Sequence, residues 1–255
     1  MSKTDDRRNQ ASAAREAAQS AAKKERLIRN IGASVVVVLV AAIIGVGVFA
    51  SRGTDPAGPE AKGTIPAGVN AEDGGWTYNP DAATDSTLEL FKDFQCPGCG
   101  FFEATYGDAV AQLAEEGIVK VILRPAVFLD DRAPGEFHSS RALNALGCAI
   151  DQGVGIEYKK AVYATQPTTE GSGWTDAQLI SLASVVGITG DNVTTFSKCV
   201  TEQEHMIWGS VADDYFAASG VSSTPTVRLN GEVVPEEIIT ANNPAAFIEW
   251  VKANA

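Results

Sequence analysis

The chain has 255 residues, with 20 basic and 32 acidic side chains and a formal charge of −12. That length suits one domain with a sizeable core plus appendages, and so acidic a chain lacks the basic patches that nucleic-acid binding requires. Its two histidines, His138 and His205, are far apart in sequence, which offers little to a zinc site wanting four ligands.

The charge is unevenly placed. Residues 1–30 carry eight basic and four acidic side chains, residues 31–50 carry none, and residues 51–255 carry the remaining twelve and twenty-eight. Residues 1–30 are Ala-rich and helix-forming without an apolar stripe, and read as a cytoplasmic tail. The uncharged run 31–50 is about long enough to span a bilayer as one helix. Lys23, Lys24, Arg26 and Arg29 precede it, which keeps the N-terminus cytoplasmic. The expectation is a single-pass anchor in the cell membrane with the body, residues 51–255, extracytoplasmic. A cleaved signal peptide is the rival: Val48-Phe49-Ala50 resembles a cleavage site, but the apolar run and the basic tail are both long for a signal. Four cysteines, an even number, fit an oxidising exterior.

Gly and Pro punctuation over residues 51–75 predicts a flexible linker, and Gly75-Trp76-Thr77-Tyr78-Asn79-Pro80 a short edge strand; together they make a segment 51–85. Leu88 to Phe94 predicts a strand that runs into Cys96-Pro97-Gly98-Cys99. Phe102, Tyr106, Ala109 and Leu113 then mark one face of a helix over 97–116, with Pro97 suited to its first turn. Ile118 to Leu123 is apolar and β-branched and predicts a buried parallel strand, which completes a βαβ unit.

Residues 128–218 are helical in pattern. Phe137, Leu143, Leu146 and Ile150 mark one helix, Glu157 to Ala164 a second, Asp176 to Val186 a third, Asn192 to Val200 a fourth and Met206 to Ala218 a fifth. Sheet signals return at Thr226 to Val234, a hairpin about the two-residue turn Asn230-Gly231. Asn243-Pro244 caps a last helix that points Phe247, Trp250 and Val251 inward. The chain is thus α/β, its sheet built from residues 86–127 and 219–255 around an inserted helical domain, 128–218.

The chemistry concentrates at the Cys-x-x-Cys. Cys96 stands where unpaired helix N–H groups and the positive dipole end converge, so its thiolate is stabilised and its pKa falls. Cys99, one turn on, is placed to resolve a mixed disulfide. An inert disulfide or half a zinc site are the alternatives; strand–helix context and the lack of a second close ligand pair favour redox chemistry. Cys148 and Cys199, 51 positions apart in two helices of the block, read as a structural disulfide, with two buried thiols or a second redox pair as alternatives. His138 reads as a surface or satisfied histidine rather than a proton donor. Trp76, Trp174, Trp208 and Trp250 read as core or seam fillers, and of Phe101 and Phe102 one faces the groove and one the core.

Phe91 to Phe102, including the Cys-Pro-Gly-Cys, and Gly220 to Gly231, including Thr224-Pro225, together resemble the DsbA-like branch of the thioredoxin superfamily, over roughly residues 85–255. With the N-terminal run and the second cysteine pair, the layout is similar to actinobacterial membrane-anchored members. The resemblance implies a thioredoxin-like fold with an inserted helical domain, preceded by one transmembrane helix. It implies Cys96 as exposed nucleophile, Cys99 as partner, and a cis Pro225 against them, where Thr224 offers its backbone to a bound peptide. It also implies unfolded exported proteins bearing cysteines as substrates, a membrane quinone-linked partner for reoxidation, and no metal or organic cofactor. Two departures stand out. Pro97-Gly98 replaces the His-containing dipeptide of strongly oxidising members, which removes a cationic donor near Cys96. Leu90 occupies the position, six before the first cysteine, where thioredoxin-like proteins often bury an acid. Asp93, on one strand face with Glu89, is then the candidate for proton transfer at Cys99, although both carboxylates also suit a solvated face.

Overall fold

The computed structural model describes residues 62–133 and 135–255. The tail 1–30 and the apolar run 31–50 lie outside the described residues, and among those described no helix is long and apolar enough to cross a membrane.

Five strands, β1 (Trp76–Thr77), β2 (Thr87–Lys92), β3 (Lys120–Pro125), β4 (Thr226–Leu229) and β5 (Glu232–Val233), form one sheet in the order β1-β3-β2-β4-β5. β2 is central. It runs parallel to β3, with Leu90 opposite Leu123, and antiparallel to β4, with Leu88 opposite Leu229. Edge strand β1 is antiparallel to β3. The β4–β5 turn places Asn230 and Gly231 at φ 53° and 85°, the left-handed pair that matches hairpin twist.

Strand alternation sends Leu88 and Leu90 to one face. There they meet Phe102, Tyr106 and Leu113 of α1 (Pro97–Glu115) and Phe247 and Val251 of α8 (Pro244–Asn254). Each such side chain, fully buried, contributes roughly 1.5–3 kcal/mol. Phe91 points the other way and stacks on Tyr215 at 6.4 Å, on α6 (Met206–Ala218). α2 (His138–Asp151), α3 (Gly155–Ala164), α4 (Asp176–Val185), α5 (Asp191–Glu202) and α6 follow one another between β3 and β4 around a second apolar core. Thr175 and Gln178 form the capping box that starts α4, and Asn243 caps α8 through the Ala246 N–H.

Several sequence expectations are corrected. The strand before the motif ends at Lys92 rather than Phe94, because the Asp93 carboxylate takes the Gln95 N–H at 2.8 Å and turns the chain. Strand β3 lies two residues later than its apolar run, since its ladder follows the register with β2. A 3-10 turn at Phe128–Arg132 and the short α7 (Glu236–Thr240) carry no apolar period and escape notice in the sequence. Residues 62–75 are not a free linker. The Thr64 N–H donates to Glu204 O at 2.8 Å, Ile207 N–H to Lys62 O at 2.9 Å, and Trp208 Nε1 to Gly74 O at 2.8 Å. Gly63, at φ +90°, permits this approach, since a Cβ there would fall 1.9 Å from Glu204 O. Trp76, Trp174 and Trp208 are buried, whereas Trp250 is only half-buried on the flank of α8.

Candidate active site

β2 delivers the chain to Asp93, and Asp93 shapes the turn into α1. Its carboxylate accepts hydrogen bonds from the Gln95 N–H, from Ser139 Oγ at 2.7 Å and from the Leu129 N–H at 3.1 Å, while its carbonyl takes the Cys96 N–H at 3.1 Å. The turn so formed makes Cys96 the N-cap of α1, with Pro97 in the first helical position. The helical block braces the same turn from outside: Gln166 Nε2 donates to Phe94 O at 2.7 Å and to Cys96 O at 2.9 Å, and Tyr163 OH donates to Asp93 O at 3.3 Å.

The two thiols are free and differ in setting. Cys96 is 4% exposed and Cys99 0%. The expectation of an exposed nucleophile is therefore corrected: Cys96 is roofed by the loop at Thr224–Pro225, whose peptide bond is cis. The Thr224 carbonyl lies 3.3 Å from Cys96 Sγ. The roof comes this close because residue 98 is glycine; a Cβ there would sit 3.1 Å from Pro225 Cδ and 3.7 Å from Cys96 Sγ. Phe101, 58% exposed, stands on α1 just past the motif, while Phe102 turns into the core.

The electrostatics separate the pair further. The Cys99 thiol, hydrogen-bonded to Cys96, lowers the Cys96 pKa against the opposing effect of burial; the Thr224 side chain and the Cys99 and Gly98 N–H groups add to it, and the pKa settles at about 7. The Thr224 carbonyl accepts only from the protonated thiol, so it is a partner Cys96 gives up on ionising. Burial pushes Cys99 well above the ordinary thiol range, and Cys96 adds to that effect; Lys92 opposes it. A thiol that ionises near neutrality, backed by one that resists ionisation, is suited to accept a substrate in mixed disulfide and then release it.

Asp93 is wholly buried rather than on a solvated face, and burial pushes its carboxyl well above the usual range against the pull of its donors. The partners of its carboxylate are the Gln95 and Leu129 N–H groups and Ser139 Oγ, so the carboxylate shapes the turn that carries Cys96. Glu89 is also buried and is paired with Arg124 at 2.7 Å. His138 is the half-buried first residue of α2, packed on Gly173. Cys148 of α2 and Cys199 of α5 are bonded, with an S–S distance of 2.05 Å and a Cα–Cα distance of 5.9 Å.

Sequence reasoning missed the charged residues beneath the motif. Lys92, Glu103 and Lys159 are buried together, with both lysines paired to the one carboxylate. Lys92 inside an apolar strand, and Glu103 four residues after Cys99 on the apolar face of α1, were visible signals. Lys159 and Gln166 arrive from the helical block and carried none.

A family model described as Thioredoxin matches residues 79–253. No curated protein matches the chain. Among solved structures it is similar to MdbA, a thiol-disulfide oxidoreductase from Actinomyces oris, at 24% identity and a TM-score of 0.64, over 75% of this chain and 93% of that one. It is similar to the reduced disulfide bond oxidoreductase DsbG of Mycobacterium tuberculosis at 26% identity and a TM-score of 0.56, over 73% and 85%. It is also similar to reduced DsbA of the same organism at 26% identity and a TM-score of 0.55, over 73% and 89%. With the Cys-x-x-Cys at the head of α1, the cis proline above it and this match over most of its length, the chain belongs to the thioredoxin family, as a DsbA-like thiol–disulfide oxidoreductase.

Proposed function

We propose that the protein introduces disulfides into exported proteins, with residues 31–50 anchoring it in the cell membrane, residues 1–30 cytoplasmic and the catalytic body outside. The observation that carries the redox reading is the asymmetry of the pair: Cys96 with its pKa near 7 under the Thr224–Pro225 roof, and Cys99 wholly buried behind it. The uncharged run and its basic flank support the topology.

In the oxidised enzyme a substrate thiolate attacks Cys96 Sγ. The Cys96–Cys99 bond breaks, its electron pair goes to Cys99 Sγ, and the substrate sulfur is bonded to Cys96. A second thiolate of the substrate attacks the first substrate sulfur, and Cys96 leaves with the bonding pair. Two substrate thiolates have become a disulfide, and the enzyme holds the two electrons. A membrane quinone-linked partner takes them and restores the disulfide. The backbone of Thr224 aligns an extended stretch of unfolded substrate beside the pair, and the exposed Phe101 gives that stretch an apolar contact.

The test is the equilibrium of the pair against a glutathione series, together with oxidation of a reduced, unfolded protein. The expected potential is clearly more oxidising than that of cytosolic thioredoxin, about −270 mV. Cys96→Ser should abolish activity, and Cys99→Ser should trap substrates as mixed disulfides. A thioredoxin-like potential with efficient reduction and no oxidative folding points instead to a reductase, as the Pro97-Gly98 dipeptide would allow. An unreactive Cys96 points to a peptide-binding module. For topology, protease added to intact cells should digest the chain beyond residue 51; a protected body refutes that part.

A further inference from the structure

The two histidines are distant in sequence, but the fold carries one of them to the second cysteine pair. Cys148 of α2, Cys199 of α5 and His205, the residue before α6, are all buried. The two sulfurs and one ring nitrogen lie within 4.8 Å of one another. Glycine at position 147 admits the imidazole beside Cys148, since a Cβ there would fall 2.9 Å from His205 Cβ and Cδ2. His205 Nδ1 is 2.7 Å from Thr64 O. A carbonyl only accepts, so Nδ1 carries the hydrogen, and in the neutral ring Nε2 keeps its lone pair. Nε2 is buried and makes no hydrogen bond. Asp151, at the end of α2, stands beside it: Oδ2 is 3.0 Å from Nε2, and Oδ1 accepts the Ala67 N–H at 2.9 Å.

Two thiolates and an imidazole are a donor set for zinc, with the fourth position left to a carboxylate or a water. Donors around a tetrahedral zinc stand roughly 3.3–3.8 Å apart, given bonds of about 2.0–2.3 Å, so rotation of the two cysteine side chains is enough to fit them. The surroundings match as well. A ligating histidine commonly donates its other ring N–H to a backbone carbonyl, which fixes the ring; here Thr64 O does so, on a segment that is itself bonded to Glu204. There is also a way in: a cleft of about 400 Å³ is lined by both cysteines together with Asp151 and Glu204. These two carboxylates draw a cation toward the sulfurs.

We propose that, whenever Cys148 and Cys199 are thiols, they form with His205 Nε2 a site for zinc or a similar thiophilic divalent cation, and that the Cys148–Cys199 bond closes this site. The newly made chain carries the thiols, and a phosphine or dithiol reductant regenerates them. On binding, the two thiols give their protons to solvent, and the cation rests on two thiolates and a neutral imidazole. Oxidation by a disulfide such as oxidised glutathione reverses this. The two sulfurs join, and their two electrons pass to the oxidant, which takes two protons from solvent and becomes two thiols. The cation, left without its thiolates, departs through the cleft. The site is separate from Cys96 and Cys99, and the inference does not depend on what that pair does.

The test uses the full chain with Cys96→Ser and Cys99→Ser, so that only Cys148 and Cys199 can supply thiolate. It is reduced with a phosphine, freed of it without air, and titrated with cobalt(II) as a spectroscopic stand-in for zinc. One equivalent should bind and give the intense visible bands of a tetrahedral thiolate site, and equimolar zinc should bleach them. Before reduction the same protein should give no such bands. His205→Ala should weaken cobalt binding at least tenfold; should that variant lose its fold, His205→Gln keeps the volume and a donor for Thr64 O and serves in its place. Zinc should raise the melting temperature of the reduced chain and leave that of the bridged chain unchanged. If the reduced chain does not stay folded by itself, one equivalent of zinc should restore the near-UV dichroism of its buried tryptophans. A reduced chain that binds no cobalt through sulfur overturns the inference. So does a histidine variant that binds as tightly as its parent, or an unfolded reduced chain that zinc fails to refold.

Discussion

Removing the Cys148–Cys199 bridge should cost stability and spare activity. The bridge ties α2 to α5 across a sequence separation of 51. In the chain-entropy account, a loop of that length freed in the unfolded state costs about 4 kcal/mol at 25 °C. For a body of this size that corresponds to a melting temperature lower by roughly 8–16 °C. The native packing should survive, because Asn144 of α2 donates from Nδ2 to Val200 O of α5 at 3.3 Å and accepts on Oδ1, at 2.8 Å, the N–H of His205, which lies just before α6. The assay is urea and thermal unfolding of the Cys148→Ala, Cys199→Ala double variant beside the parent, with Cys96–Cys99 oxidised in both. Thiol exchange per folded molecule is measured in parallel and should be unchanged. A loss under about 1 kcal/mol would refute the entropic argument. A tenfold loss of exchange in a folded variant would show instead that the second bridge lies on the route of the electrons.

In the reduced protein, alkylation of Cys96 should rise through about pH 7 and level off above it. Because the folded value lies below the ordinary thiol value, the stability this thiolate lends the reduced fold is fully present above that ordinary value and gone once the pH has fallen through about 7; an alkylation midpoint near 9 contradicts the site electrostatics. Gly98→Ala places a Cβ 3.1 Å from Pro225 Cδ; exchange should slow several-fold, while stability, helped by up to about 1 kcal/mol of helix propensity, should hold or rise, and an unchanged rate counts against the roof as part of the site. Asn79→Ala removes a side chain that donates to Ala114 O and Val119 O and accepts the Val121 N–H. Ala114 O keeps the Gly117 N–H, but with Val119 O and the Val121 N–H losing the amide, unfolding should be easier by roughly 2–4 kcal/mol, and a change below about 0.5 kcal/mol means that water replaces the amide.

What the sequence conveyed well was periodic or local. The five helices between β3 and β4, the Asn230-Gly231 turn and the Asn243 cap each follow from spacing or from one residue's chemistry, and their bounds differ from the reading by a few residues at most. What it conveyed poorly depended on chain segments meeting from afar. Residues 62–75 look like a linker by composition, yet they bond to the segment around Glu204 and Ile207. Asp93 looks solvent-facing by strand alternation, but the strand has already ended, and Ser139 and Leu129 close over its carboxylate. The buried group of Lys92, Glu103 and Lys159 needs Lys159, whose position beside Glu103 is set by how α3 packs on α1, and no local pattern encodes that packing.

The separation between the thiols and their roof bears on how the molecule comes into being. Thr224 covers Cys96 from 128 positions further along the chain, and β2 has its antiparallel partner β4 only at that end. A ribosome makes the reactive pair first, then Cys148, then Cys199, and only afterwards the residues that enclose the pair. Throughout that interval β2 lacks β4 on one side, and Cys96 and Cys99 stand open beside a growing segment that contributes two more thiols. Mispairing of Cys148 with Cys96 is therefore a hazard of synthesis that the finished fold no longer shows. Chains stalled before residue 219 are where such a wrong bridge should accumulate.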